Sequence, residues 1–267
     1  MDRPELELML DEAPGFGRCP RCPYLGAGTV ELCYRCARRT IEPLADIEDR
    51  CGVCDQVYGP DQTSCWNPVC RMDPGERWFE WNFAIAMRTR MLKIAINSYK
   101  YSGRRDWAAI FGRILIGFLE AEREVFKGID LIVGSPQYTG PGAHRDWDHV
   151  REIMIAADRE QEWPAWLARW PFDLAEPPAI VKTADTPPMV KSGSAADRKH
   201  LAETDLRSAL QVPDRARTEG RAIAVLDDIF TGGWTLRESA RALRLQGGAK
   251  SVVGISLARQ PYTPQAR

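Results

Sequence analysis

Residues 224–235 read Ala224-Val225-Leu226-Asp227-Asp228-Ile229-Phe230-Thr231-Gly232-Gly233-Trp234-Thr235, and their order decides the fold. The run Ala222–Leu226 is short, apolar and continuous, which is the pattern of a strand buried on both faces of a parallel sheet. It ends in two adjacent carboxylates, Asp227 and Asp228. A Thr/Gly loop follows, and then an amphipathic helix over Leu236–Leu245. Backbone N–H groups of a glycine-rich loop at a helix N-terminus cradle a phosphate. Carboxylates beside them accept hydrogen bonds from ribose hydroxyls. The expected ligand is a phosphorylated sugar. A lone Asp-Asp pair is more often a solvated strand end. The specific signal is the pair followed by Thr231, Gly232, Gly233 and Thr235.

Outward from this stretch, strand and helix signals alternate. Trp78–Tyr101 is predicted as one helix, from the spacing of Phe79, Phe83, Ile85, Leu92 and Ile96. A basic turn with Gly103 as its break precedes a second helix over Asp106–Glu122. Ile129–Val133 reads as another buried strand, followed by a loop through Gly140-Pro141-Gly142 and a helix over Trp147–Arg159. A strand is expected at Ala179–Lys182, a polar loop at Asp185–Ser194, a helix at Ala195–Glu203 and a short strand at Leu206–Val212. Gly247-Gly248 ends the helix that follows the Asp pair, Ser251–Leu257 forms the last strand, and a frayed tail begins near Pro261. Such alternation with short connections indicates an α/β fold with a parallel sheet flanked by helices.

The chain has 267 residues, 44% hydrophobic and 27% charged, with a net charge of −1. This is the composition of a soluble globular protein without a global basic field. No run reaches the length of a membrane span and the acidic N-terminus does not resemble a signal peptide, so the cytoplasm is the expected location. All eight cysteines lie between Cys19 and Cys70. They fall into pairs: Cys19 and Cys22, Cys33 and Cys36, Cys51 and Cys54, and the looser Cys65 and Cys70. Paired cysteines on tight turns supply two thiolates each to a tetrahedral zinc ion. The reading is two structural zinc ions, one on Cys19, Cys22, Cys33 and Cys36, the other on Cys51, Cys54, Cys65 and Cys70. The spacing also admits an interleaved pairing. Four cysteines per ion leave no open position for catalysis. The clustering divides the chain into a double zinc-ribbon module over residues 1–75 and a cysteine-free domain over 76–267. Arg18, Arg21, Arg35, Arg38 and Arg39 make the first ribbon basic, as a phosphate contact or, more commonly, as a solvated surface.

Taken together, these pieces resemble the ComF family, which joins a double zinc ribbon to a type I phosphoribosyltransferase domain. The resemblance rests on the cysteine pairs, Tyr99-Lys100-Tyr101-Ser102-Gly103-Arg104-Arg105, Asp185-Thr186-Pro187-Pro188, Arg198 and Val225–Thr235. It implies transfer of ribose 5-phosphate from phosphoribosyl pyrophosphate (PRPP), supplied with Mg²⁺, to an acceptor, with release of pyrophosphate. Asp227 and Asp228 would be the catalytic pair on the ribose hydroxyls. Thr231, Gly232, Gly233, Trp234 and Thr235 would hold the 5-phosphate, and Lys100, Arg104, Arg105 and Arg145 are candidates for the pyrophosphate. His149 and His200 are candidate bases. Variable specificity would come from a hood built of Phe79–Tyr101 and Leu206–Val212. The chain departs from the family after the Ile129–Val133 strand. There Gly134-Ser135-Pro136 replaces Pro-Val-Pro, and Asp146, Asp148 and His149 replace Gly, Asn and Gln. Asp146 and Asp148 are expected to repel pyrophosphate unless Mg²⁺ intervenes. Trp234, where the family has Ala, is expected to narrow the loop or stack on a ligand. The resemblance also implies an alternative: a binding protein for PRPP or a nucleotide that acts as an adaptor in DNA uptake. Its zinc module would then contact single-stranded DNA or a competence protein.

Overall fold

The computed structural model describes residues 49–59, 62–88, 90–161, 169–187 and 194–261. Its centre is a four-stranded, wholly parallel sheet of β1 (Asn82–Met87), β2 (Leu131–Gly134), β5 (Ala222–Phe230) and β6 (Ser251–Arg259), in the order β1-β6-β5-β2. A two-stranded antiparallel ribbon joins β3 (Val181–Lys182) to β4 (Leu210–Gln211). The helices that matter for the site are α1 (Arg90–Tyr101), α2 (Trp107–Ala121), α3 (His149–Glu160), α4 (Ala195–Leu201) and α5 (Trp234–Leu245). No helix among the described residues is long and apolar enough to cross a membrane.

The sheet is covered on both faces, which explains why its strands read as unbroken apolar runs. On one face Ala224, Leu226, Val253, Ile255 and Leu257 pack against Leu92, Ile96, Tyr99, Phe111, Leu115, Val150 and Ile153 of α1, α2 and α3. On the other face Leu131, Val133, Ile223, Val225 and Val252 meet Leu236, Ala240 and Leu243 of α5. That second core also contains Cys51, Cys54 and Cys65, so the cysteine segment is packed onto the body. Burial of each such aliphatic side chain stabilises the fold by about 1.5–3 kcal/mol. Close approach of α2 and α3 depends on Gly112, where a Cβ would stand 2.6 Å from the Ala157 backbone nitrogen.

Most of the expected elements are present, and three differ. The predicted helix Trp78–Tyr101 is two elements. Asn82–Met87 is the edge strand β1, paired with β6 from Asn82↔Gly254 to Met87↔Arg259, and only Arg90 onward is helical. Phe79 likewise belongs to the core with the cysteines, so Phe79–Met87 forms no hood. The short strand expected over Leu206–Val212 is confined to Leu210–Gln211. The preceding residues are helical, with Ala202, Leu206 and Ala209 buried. Finally, β5 continues past Leu226 through both aspartates to Phe230, because β6 pairs with it that far. The residues Cys19–Cys36, most of the polar loop expected over Asp185–Ser194 and the tail beyond residue 261 lie outside the described residues.

Candidate functional site

β2 ends at Gly134, opposite Leu226, whereas β5 runs on. Asp227 and Asp228 therefore sit where β5 has lost one neighbour and its edge is open. Asp228 is buried, with its Oδ2 2.5 Å from Lys100 Nζ and 3.4 Å from His149 Nε2. Burial opposes its ionisation, but Lys100 and then His149 outweigh burial and hold its carboxyl well below the usual range. Asp227 is half-buried, and its Oδ1 accepts from the Asp228 backbone N–H at 2.9 Å. Burial, and next the charge of Asp228, push its carboxyl up to about 8. The two adjacent carboxyls are thus pushed in opposite directions, as expected when like charges share one site.

His149 opens α3 and is buried. Its Nδ1 lies 3.0 Å from Arg145 Nη1. A guanidinium only donates, so Nδ1 accepts and the ring proton sits on Nε2, facing Asp228. Burial is the main cause holding the imidazole neutral, opposed by Asp228 and reinforced by Lys100 and Arg145. Arg145 in turn lies over the Tyr101 ring at 5.1 Å. Arg145 and His149 thus form a chain that ends on Asp228, which Lys100 meets directly.

The remaining sequence candidates divide. Arg105 faces outward over the Trp147 ring at 4.9 Å and pairs with the exposed Asp146 at 3.2 Å. Arg104 makes a two-pronged bond to Asp106, at 3.1 and 2.8 Å. His200 is exposed on α4. Asp148, expected to repel pyrophosphate, also has a structural role. Its Oδ1 accepts from the N–H groups of Val150 and Arg151, at 3.0 and 2.9 Å, and caps α3. Sequence reasoning missed Lys182. Burial lowers its pKa, Asp185 opposes that and Arg145 adds to it. It lines a cavity of about 310 Å³ with Gly134, Tyr138, Gly140, Asp148 and Arg151. Its only sequence signal was a lysine inside a short strand.

The loop after Phe230 turns into α5 at Gly233, whose φ of 80° is reached without strain by glycine. The first helical bond runs from Arg237 N–H to Gly233 O, at 2.9 Å. The N–H groups of Trp234, Thr235 and Leu236 therefore have no intrahelical acceptor. Loop carbonyls are engaged by the protein: Phe230 O and Thr231 O both accept from Arg259 Nη1, at 3.1 and 2.9 Å. The Trp234 ring does abut the loop, 3.1 Å by its Cδ1 from where a Cβ on Gly232 would stand. Its ring is buried in the core beside Phe230 and Leu236, so its backbone N–H is the group it can offer.

Cys51, Cys54, Cys65 and Cys70 form one group whose sulfur atoms all lie within 4.8 Å of one another, able to hold a metal ion. The Cys54 and Cys65 sulfurs are 3.7 Å apart. A tetrahedron with Zn–S near 2.3 Å has S···S of about 3.8 Å, so the donor set and spacing fit zinc. Two outer donors point at it: Val53 N–H to Cys51 Sγ at 3.4 Å, and Arg259 Nη2 to Cys54 Sγ at 3.3 Å. The turn also docks on the sheet edge. Asn82 N–H donates to Val53 O at 2.8 Å, and Ala84 N–H to Asp55 Oδ2 at 2.7 Å. Compared with known proteins, the chain matches no protein-family model and no curated protein.

Proposed function

We propose that this chain binds PRPP, or another 5-phosphorylated ribose, at the end of β5, and transfers the ribosyl unit to an acceptor with release of pyrophosphate, as a type I phosphoribosyltransferase-like protein of the ComF kind. The observation that carries the reading is the adjacent pair Asp227 and Asp228, the second held by Lys100 and His149, set at an open strand edge just before a glycine-opened helix N-terminus. The 5-phosphate would sit on the N–H groups of the Gly233–Leu236 turn, with Thr231 and Thr235 beside it. Asp227, the more accessible carboxyl, is the contact for the ribose hydroxyls and the hard oxygen donor suited to Mg²⁺. Mg²⁺ supplies charge neutralisation of the pyrophosphate when bound. Asp228 acts from behind. Its charge, fixed by Lys100 and His149, favours the positive character that develops at the anomeric carbon. Arg145, bonded to His149 and Tyr101, is the cation proposed for the leaving group. Cys51, Cys54, Cys65 and Cys70 hold a structural zinc ion, with a second on Cys19, Cys22, Cys33 and Cys36.

The test is pyrophosphate release from PRPP and Mg²⁺ across a panel of bases and amines. Release by the wild type that is lost in Asp227→Asn supports the transferase. No release with any acceptor sinks it. One observation favours the adaptor reading: Arg104 and Arg105 are engaged by Asp106 and Asp146, which leaves few cations for pyrophosphate. An adaptor would bind single-stranded DNA or a competence protein through its zinc module. DNA binding would weaken steeply with salt.

A further inference from the structure

β6 closes on Arg259, which is 0% exposed although it carries a full charge. A buried guanidinium needs a counter-charge. Among the described residues no carboxylate lies within ion-pair distance of it. Asp55, the acid whose ionisation it favours, is bonded to Ala84 N–H and to Arg50 instead. The group that Arg259 does touch is Cys54 Sγ. Four thiolates around a divalent ion carry a formal charge of about −2, which is the missing partner. The same guanidinium lies 5.0 Å above the Phe230 ring and donates to the carbonyls of Phe230, Thr231 and Gln260. A second tie runs in parallel. Asn67, 0% exposed, accepts from Val69 N–H at 3.2 Å and donates to Thr231 O at 3.4 Å. Asn67 lies between Cys65 and Cys70, so both ties start in the cysteine segment and end on the same loop.

We infer that Arg259 is a positioning residue linking the four-cysteine metal centre to the Phe230–Thr235 loop. Metal-bound thiolates hold Arg259 in place, Arg259 and Asn67 turn the loop carbonyls inward, and the N–H groups of Trp234 and Thr235 are thereby left facing the ligand. Metal loading and anion affinity are therefore coupled across the sheet end. This rests on the phosphate-loop reading above only for its ligand. The loop's own order tests the link without any ligand.

The experiment is hydrogen exchange on the zinc-loaded full chain, following residues 230–237 with β2 and β5 as folding references. It is paired with calorimetric titration of ribose 5-phosphate. Arg259→Lys keeps the charge but shortens the reach. Asn67→Ser keeps the acceptor for Val69 and removes the donor to Thr231. Both variants should retain zinc and sheet protection, exchange at least about tenfold faster in the loop, and bind ribose 5-phosphate about tenfold more weakly. Chelation of the zinc should speed loop exchange by a similar factor. If Arg259→Lys loses sheet protection, Asn67→Ser decides. Loop exchange at the wild-type rate in zinc-loaded variants, or in chelated protein with an intact sheet, overturns the link. If the wild type ignores ribose 5-phosphate while loop exchange still responds, the ligand reading fails and the link stands.

Discussion

The cysteine group and the acidic end of β5 are both buried clusters of chemically telling residues, yet they are built in opposite ways. Cys51, Cys54, Cys65 and Cys70 come from one short segment, and their chemistry is local: it brings four sulfurs together, able to hold one metal ion. Asp228 draws its meaning from Lys100 on α1 and His149 on α3, elements distant in the chain that meet only because α1 and α3 cover the same face of the sheet. A metal centre carries its own partners in its spacing. A charge relay borrows them from the fold. Arg259 is bonded both to a cysteine 205 positions away and to the carbonyls of Phe230 and Thr231, just past the acidic pair.

The comparison is broken most strongly at the metal centre. Cys54→Ser removes a thiolate and also the sulfur acceptor of Arg259. It should cost on the order of 5 kcal/mol or more and release the ion. Zinc content per chain and chemical unfolding read both effects. Unchanged zinc content would show that these four sulfurs do not act as one set.

Next comes Lys100→Met, which leaves Asp228 buried without its cation. A loss of about 3–5 kcal/mol is expected near pH 7. The pH dependence has a definite sign. Asp228 ionises in the fold well below its unfolded value of about 3.9, so its stabilisation is present above that value and is lost as pH falls through the folded pKa. The gap between wild type and variant in urea unfolding should therefore be wide at pH 7 and close on acidification below about pH 4. A gap indifferent to pH would mean that Lys100 contributes packing alone.

Smaller effects sharpen the picture. Asp148→Ala removes the cap of α3 and should cost about 1 kcal/mol, lowering the thermal midpoint by roughly 2–4 °C, with ribose 5-phosphate affinity unchanged. An affinity change there would mean that the carboxylate faces the ligand. Arg105→Ala breaks an exposed pair and should shift stability by less than about 0.5 kcal/mol.

The sequence disclosed the alternation of β2, α3, β5, α5 and β6, because continuous apolar runs and glycine stops report buried strands and helix ends directly. It misread β1. Phe83, Ile85 and Met87 ran on into α1 without a turn residue, and helical spacing fitted both. What makes Asn82–Met87 a strand is its pairing with β6 and its docking under Val53 and Asp55, neither of which is local. The same limit applies at the site. Asp227, Asp228 and the Gly233 turn were legible from residue type and order. Lys100 was legible as a cation but not as the partner of Asp228. Asp148 was legible as a charge but not as a cap, because a cap is recognised only once the helix start is fixed. Arg259 gave no signal at all, since a terminal arginine on a strand is ordinarily solvated.

The central claim is that the end of β5 is a phosphoribosyl site with a protonated Asp227. Its most direct test is calorimetric titration of the zinc-loaded full chain with PRPP and Mg²⁺ at pH 7, in two buffers of different ionisation enthalpy, alongside Asp227→Asn. A carboxyl pushed up to about 8 carries its proton at that pH and releases it when Mg²⁺ and ribose hydroxyls take its oxygens. The account predicts saturable binding with release of about one proton, and an affinity at least about tenfold weaker with no proton release in Asp227→Asn. Absence of saturable binding by the wild type, or binding that the variant retains in full, would contradict it.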